Sequence, residues 1–197
     1  MRDAERKQEP AIPGARPLAR GRTSRRVILE ALLGLGAGST LSATLDLSAW
    51  QAYEAVEEAW IRDRHELLIQ NAPAAMQAAA LDLEVKLADL RRRAMQFRFL
   101  LNRDSALLRG GVWELTSLSV SPEEQAEMLA TIPEYRRQEE QVHQLAETLR
   151  RNPQYAILQR AQIRLWKTPQ YRDLHRRYMG RMQDLQKSFG NGPAATE

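Results

Sequence analysis

The chain from residue 48 onward repeats apolar residues at the spacing of an α-helix. Over residues 48–71 the apolar side chains fall near 3.6 residues apart and so share one helix face. They are Trp50, Tyr53, Val56, Trp60, Ile61, Leu67 and Leu68. Ser48 and Gln51 have the residue types and spacing of a capping box, which predicts a helix beginning near Ser48. Pro73 interrupts the pattern, because proline cannot continue a helix.

A second helical segment follows this break, and its apolar spacing is stricter. Eight apolar residues alternate four and three positions apart: Met76, Ala80, Leu83, Leu87, Leu90, Ala94, Phe97 and Leu101. Such a repeat is typical of a helix packed lengthwise against a partner helix. Because only a short break separates the two segments, they predict a long N-terminal antiparallel hairpin.

Prolines mark the helix starts that the remaining chain predicts. Residues 102–121 contain the Gly110-Gly111 pair and are predicted to form a loop. Ser121 then precedes a proline and two glutamates, the pattern of a helix start closed by a capping box. Three Pro-[Glu/Gln]-Tyr motifs indicate further starts, at Pro133, Pro153 and Pro169. The whole pattern predicts an all-α protein, a bundle of four to five helices.

Composition divides the chain into four parts. We expect a disordered basic leader at residues 1–26, a signal or membrane anchor at 27–49, a helical bundle domain at 50–189 and a disordered tail at 190–197. The leader carries eight Lys or Arg against three acids, whereas the rest carries 21 bases and 22 acids. The basic character therefore belongs to the leader. The chain has no cysteine, which excludes disulfides, thiolate metal sites and cysteine nucleophiles.

Residues 24–30 read SRRVILE and precede an uncharged run, residues 31–45, that contains three glycines. This arrangement resembles the twin-arginine type of signal peptide, with Arg25 and Arg26 as its paired arginines. Ile28 stands where that family has phenylalanine, and Glu30 stands where it usually has lysine. The resemblance covers residues 23–49 only. It implies export, with the protein periplasmic or anchored to the outer face of the cytoplasmic membrane.

Other interpretations of the same run stay open. Residues 27–45 number 19, which at about 1.5 Å per residue just spans a bilayer core of about 30 Å. The run therefore also suits an uncleaved anchor that associates with a membrane, a general secretory signal, or a buried helix.

Charge is segregated in the C-terminal half. Residues 114–147 hold eight glutamates against two arginines, and residues 150–187 hold ten Lys or Arg against two aspartates. The candidate basic patch comprises Arg160, Arg164, Lys167, Arg176 and Arg177. Tyrosines and Trp166 alternate with these bases, a pattern that also occurs in nucleic-acid or anionic-lipid binding. We favour the simpler interpretation: the two stretches are antiparallel neighbours that neutralise each other, and the aromatic residues belong to the core.

Candidate catalytic and metal-binding residues are sparse. Glu140, His143 and Glu147 fall on one side of a helix, and Glu140 and His143 form one Glu-x-x-His element. Di-iron bundles use two such elements with further glutamates, so a di-iron site is not expected, and a weak surface site for zinc or copper stays open. The sequence shows no phosphate-binding glycine loop or nucleophile elbow. We therefore expect no catalytic residues and no cofactor.

These patterns together predict a non-catalytic protein of the cell envelope. Residues 118–125, LSVSPEEQ, are faintly similar to the repeats of periplasmic helical stress proteins of the Spy/CpxP type, but they depart from that repeat and have no second copy. We expect an exported helical binding, adaptor or chaperone-like protein with a protein partner. One alternative is an accessory subunit of a twin-arginine-exported cofactor enzyme. The other is a nucleic-acid-binding module using residues 150–187, and nucleic acid is the less favoured partner.

The export signal can be tested by a change that keeps its charge. Replacing Arg25 and Arg26 by lysine should hold the precursor in the cytoplasm, because twin-arginine export demands arginine rather than positive charge alone. The measurement is the distribution of the protein between cytoplasmic and periplasmic fractions. Unchanged periplasmic delivery would exclude the twin-arginine interpretation and leave a general secretory signal or an anchor.

Overall fold

The computed structural model describes residues 45–103 and 111–190, and nearly all of these residues are helical. Within these ranges there is no β-strand, so the predicted all-α class is confirmed. The leader, the glycine-rich run up to residue 44 and the tail from residue 191 lie outside the described residues, as do Arg25 and Arg26. None of the helices in the described ranges is both long and apolar enough to cross a membrane.

Seven α-helices make up the described part of the chain. Their bounds are α1 Leu47–Asn71, α2 Met76–Arg103, α3 Val112–Leu115, α4 Pro122–Thr131, α5 Pro133–Arg151, α6 Tyr155–Leu165 and α7 Pro169–Gly190, with a short 3₁₀ turn at Pro73–Ala75 between α1 and α2. The number exceeds four or five for two reasons. The predicted loop contains the single turn α3, and the extended backbone of Ile132 before Pro133 divides the acidic stretch into α4 and α5.

Helices α1 and α2 form the centre of the bundle, because they pack against each other while α2 also packs against α5 and α1 against α7. Helix α7 lies against α1 and α3, and α4 lies against α5. Because α2 has two partner helices, α1 and α5, it buries more side chains than those of the predicted apolar row. Its buried residues include Ala78, Ala79, Ala88, Leu90, Ala94, Gln96, Phe97 and Leu100. The prediction that the whole row is packed against a partner helix is wrong for its first two residues. Met76 is 58% exposed, and Ala80 is also exposed.

The core consists of two apolar clusters. The first joins the beginning of α1 to the end of α2, where the ring of Trp50 stacks on that of Phe97 with centroids 5.0 Å apart. The second joins the end of α1 to the beginning of α2 and is covered by Leu149 of α5 and Leu158 of α6. Burial of a large aromatic side chain such as Trp50 removes roughly 150–250 Å² from water, so the first cluster is a main source of stability.

The helix starts agree with the sequence at α4, α5 and α7, whereas α6 begins at Tyr155, two residues after the predicted start at Pro153, and α1 has a different cap. Ser121 and Glu124 form the predicted capping box. The Ser121 hydroxyl accepts a 3.1 Å hydrogen bond from the Glu124 N–H, and the Glu124 carboxylate accepts a 2.7 Å bond from the Ser121 N–H. Pro133 and Pro169 are the first residues of α5 and α7, as predicted. At α1 the prediction is wrong, because Asp46 is the N-cap and accepts a 2.9 Å hydrogen bond from the Ala49 N–H.

The bundle also begins earlier than the predicted boundary at residue 50. Leu45 and Ala49 are both buried in the first cluster. The end of the segment assigned to a signal or anchor, residues 45–49, is therefore part of the folded bundle.

The start of α2 is capped from a distant part of the chain. The side-chain oxygen of Gln154 accepts hydrogen bonds from the backbone N–H groups of Gln77 and Ala78, at 3.0 and 3.4 Å. The first N–H groups of a helix have no partner within the helix, so an outside acceptor stabilises it. The proline motif at Pro153 thereby links the start of α6 to the start of α2.

Removing this cap should destabilise the bundle measurably. We expect Gln154→Ala to lower the free energy of unfolding by about 1 kcal/mol, the usual cost of losing a capping side chain. The measurement is urea unfolding followed by circular dichroism. Gln159→Ala is the matched control, because Gln159 is an exposed glutamine of α6 with no hydrogen bond among the described residues. Equal unfolding curves for the two variants would contradict the capping role.

Candidate binding surface at the junction of α6 and α7

Two large apolar side chains are exposed where α6 meets α7. Ile163 is 57% exposed and Trp166 is 60% exposed, which places them among the most exposed large apolar residues described. The prediction that Trp166 belongs to the core is therefore wrong. Helix α6 buries Leu158 and Leu165, seven residues apart, so it presents one edge to the bundle and turns Ile163 away from it.

Local hydrogen bonds hold this junction in a defined conformation. The Thr168 hydroxyl donates to the Leu165 carbonyl at 2.7 Å and accepts from the Tyr171 N–H at 3.2 Å. One side chain thus terminates α6 and caps α7. Trp166 lies between Leu165 and Thr168, within the turn that the first bond closes.

Helix α7 provides the other side of the exposed surface. A groove of about 390 Å³ is lined there by Trp166, Tyr171, Arg172, His175, Arg176 and Met179. We call these six residues together with Ile163 the junction surface. Two of its rings contact Trp60 of α1, whose ring centroid lies 5.7 Å from that of Tyr171 and 5.8 Å from that of His175. The surface is therefore aromatic and basic, and it is attached to the core.

The five residues of the predicted basic patch are all exposed, but they do not form one stripe. Arg160 and Arg164 line a groove beside the end of α1. Arg176 belongs to the junction surface and pairs with Asp173 at 3.2 Å. Arg177 faces a third groove whose lining includes Asp63 and Glu66. Lys167 is exposed beside Trp166 in the chain.

The acidic and basic stretches are not packed lengthwise as the sequence suggested, because, among the described helices, only α3 at the start of the acidic stretch lies against α7. Helix α5 packs chiefly against α2, whereas α7 packs against α1. Arginines of α2 pair with the acidic helices instead, Arg92 with Glu139 at 3.3 Å and Arg103 with Glu127 at 2.7 Å. In the described ranges one ion pair connects a glutamate of the acidic stretch with an arginine of the basic stretch. It joins Glu147 to Arg151, and both residues lie within α5.

The candidate metal ligands are not assembled into a site. Glu140 and His143 are exposed, and Glu147 is paired with Arg151. Among residues 45–103 and 111–190, no group of three or more His, Asp or Glu side chains is placed to hold a metal ion.

A polar network that the sequence did not reveal lies between α1, α2 and α7. The Tyr178 hydroxyl donates to Glu57 at 2.8 Å, Glu57 lies 3.7 Å from the Arg93 guanidinium, and Arg93 donates to the Tyr53 hydroxyl at 3.0 Å. Burial, and then the charge of Glu57, raises the pKa of Tyr53 to about 12 and also raises that of Tyr178. Asp89 lies 3.6 Å from Arg93 and adds a second carboxylate.

One signal in the sequence could have revealed this network. Residues 91–93 are three successive arginines, and successive residues on a helix are turned by about 100°. Three in a row therefore cannot all point away from a helix that packs on two sides. In the structure Arg91 is exposed, whereas Arg92 and Arg93 are partly buried.

Comparison with known proteins returns no relative for this chain: no family model, no curated protein and no solved structure matches it. Functional conclusions therefore depend on the residues and their geometry.

The tyrosines of the network should make the bundle sensitive to alkali. An unfolded tyrosine ionises near pH 10, whereas folded Tyr53 stays neutral until about pH 12. The native state then binds more protons than the unfolded state, so stability is complete below pH 10 and falls as the pH rises towards 12. The Tyr178 pKa is raised as well, so we expect Tyr178→Phe to lose less stability than the wild type between pH 9 and pH 11.

The same variant should be less stable than the wild type at pH 8, by roughly 1.5–3 kcal/mol, because it loses a hydrogen bond to a charged group. Urea unfolding at pH 8, 9 and 11 measures both effects. Tyr155→Phe is the control at pH 8, since Tyr155 is a half-buried tyrosine whose hydroxyl makes no hydrogen bond with the described residues. An identical pH dependence in the wild type and Tyr178→Phe would contradict this account.

Proposed function

We propose that this chain is a non-catalytic helical adaptor of the cell envelope that binds a protein partner through the junction surface. The observation that carries the proposal is the exposure of Trp166 on a turn held in place by hydrogen bonds. Tryptophan, tyrosine and arginine dominate the binding energy of protein interfaces, because they bury a large area and can still form polar contacts. The junction surface combines all three.

The support of the junction surface also suits a binding role. Trp60 contacts the rings of Tyr171 and His175 and also that of Tyr178, whose ring centroid is 4.8 Å away. A binding surface whose side chains are already fixed loses less conformational entropy when the partner arrives. This argument favours a preformed docking surface over one that orders on binding.

Export to the periplasm is part of the proposal, with or without anchoring at the outer face of the membrane. It is supported by the resemblance of residues 24–30 to a twin-arginine signal. Twin-arginine export carries folded proteins, so a stable bundle such as residues 45–103 with 111–190 is suitable cargo. An accessory subunit of an exported cofactor enzyme is a more specific form of the same proposal, in which the partner is that enzyme.

The proposal is tested by recovering the partner with matched surface variants. Full-length tagged protein is cross-linked in cells, and the complexes are isolated separately from cytoplasmic and periplasmic fractions. We expect a periplasmic protein partner with the wild type and at least a tenfold loss with Trp166→Ala, as for a central interface residue. Leu47→Ala is the control, because Leu47 is another exposed large apolar residue and lies outside the junction surface. Equal recovery by all three proteins would exclude the junction surface as the binding site.

The nucleic-acid alternative predicts binding whose affinity falls steeply as the salt concentration rises. Neutralising each phosphate steepens the log–log dependence of affinity on salt by roughly 0.7–0.9, so phosphate binding by residues 150–187 would weaken steeply with salt. The division of the basic residues among three grooves argues against a continuous phosphate track. Micromolar binding to duplex DNA at about 150 mM salt, together with recovery from the cytoplasm, would favour the alternative.

A further inference from the structure

A second groove lies on the other side of α6, between that helix and the end of α1. Its volume is about 430 Å³, within the range of roughly 300–1,000 Å³ that is usual for small-molecule sites. The groove is lined on its apolar side by Ala72, Ile157, Ala161 and Leu165. We call it the arginine groove, because Arg160 and Arg164 form its polar side.

Arg160 and Arg164 are one helical turn apart and face the same groove, so their guanidinium groups can approach one ligand together. Neither has a salt bridge or a side-chain hydrogen bond within residues 45–103 and 111–190. The residues lining the groove include no carboxylate. Like charges at this spacing destabilise a helix by roughly 0.2–0.5 kcal/mol, so the stability of α6 does not account for the pair.

Some arginines elsewhere on the bundle are engaged with the protein, whereas others, such as Arg98 and Arg150, have no side-chain partner among the described residues and line no groove together with an apolar surface. Arg62 pairs with Glu58 at 2.6 Å, and Arg136 donates to the Leu129 carbonyl at 2.7 and 3.0 Å. The two polar side chains beside the arginine pair are already engaged, since Asn71 donates to the Leu67 carbonyl and Thr168 to the Leu165 carbonyl. The two guanidinium groups are therefore the donors that the groove offers to a ligand.

We infer that the arginine groove binds a small amphiphilic anion, a carboxylate with an unbranched apolar tail. The carboxylate lies between Arg160 and Arg164, because a guanidinium donates two parallel hydrogen bonds to such a group. The tail lies along Ile157, Ala161 and Leu165, where it is removed from water. This site is separate from the junction surface and does not depend on the proposed adaptor role.

The probe for this site is dodecanoate, used below the concentration at which it forms micelles. Titration calorimetry on the full-length protein should show one saturable site. Acetate, which has the charge without the tail, and dodecanol, which has the tail without the charge, should each bind at least tenfold more weakly. Dodecanol binding as tight as dodecanoate would overturn the proposal, since the arginines would then contribute nothing.

Two variants separate the roles of charge and shape. Arg160→Gln with Arg164→Gln should weaken dodecanoate binding at least tenfold, whereas Arg150→Gln with Lys187→Gln, which removes the same charge from exposed positions outside the groove, should leave it unchanged. Ala161→Phe should block the tail without altering any charge. Thermal unfolding is followed for each variant, so that loss of binding is read only from folded protein.

Two further outcomes would overturn the inference. One is equal dodecanoate binding by the wild type and the Arg160–Arg164 double variant. The other is binding to anionic phospholipid vesicles that depends on both arginines while free dodecanoate does not bind, because the pair would then recognise a membrane surface. Either result leaves the proposed adaptor function untouched, since that function is measured at Trp166.

Discussion

A charge held inside the bundle constrains how its helices meet. The side chain of Arg93 is only 14% exposed, and Glu57, which faces it from α1, is 15% exposed. A buried guanidinium without a counter-charge would be very costly, so α1 and α2 have to align where these two groups meet. Tyr178 then brings α7 into the same network through Glu57. Separating the members of such a network is costly, so it penalises any other register of the three helices.

The central position of α2 explains both the success and the failure of the sequence pattern. Leu90, Ala94 and Phe97 of the row are buried as predicted, because these residues belong to the first apolar cluster. Met76 is exposed because burial at that end of α2 shifts to Ala78 and Ala79, which face the second cluster. A repeat of four and three describes contact with one partner helix. It cannot describe a helix whose two ends and two sides contact different partners.

Charge complementarity along the sequence was a poor guide to which helices pack together. Exposed ion pairs contribute only about 0–1 kcal/mol, whereas burying one large apolar side chain contributes roughly 1.5–3 kcal/mol. The burial of Leu149 and Tyr135 therefore determines where α5 lies. Glutamates of the acidic stretch form ion pairs with arginines of α2. The five basic residues of the candidate patch are exposed. Their division among grooves depends on α6 and α7 changing direction at Thr168, which no periodicity encodes.

The cap of α1 limits where the proposed signal peptide could be cleaved. Asp46 closes the first turn of α1, and Leu45 fills a position in the core with 1% exposure. Cleavage of the proposed signal after Asp46 would remove both residues and leave the amides of the first turn of α1 without their cap. Cleavage before Leu45 would leave the cap and the buried leucine in place. The fold therefore sets a limit on where a leader can be removed without opening the bundle.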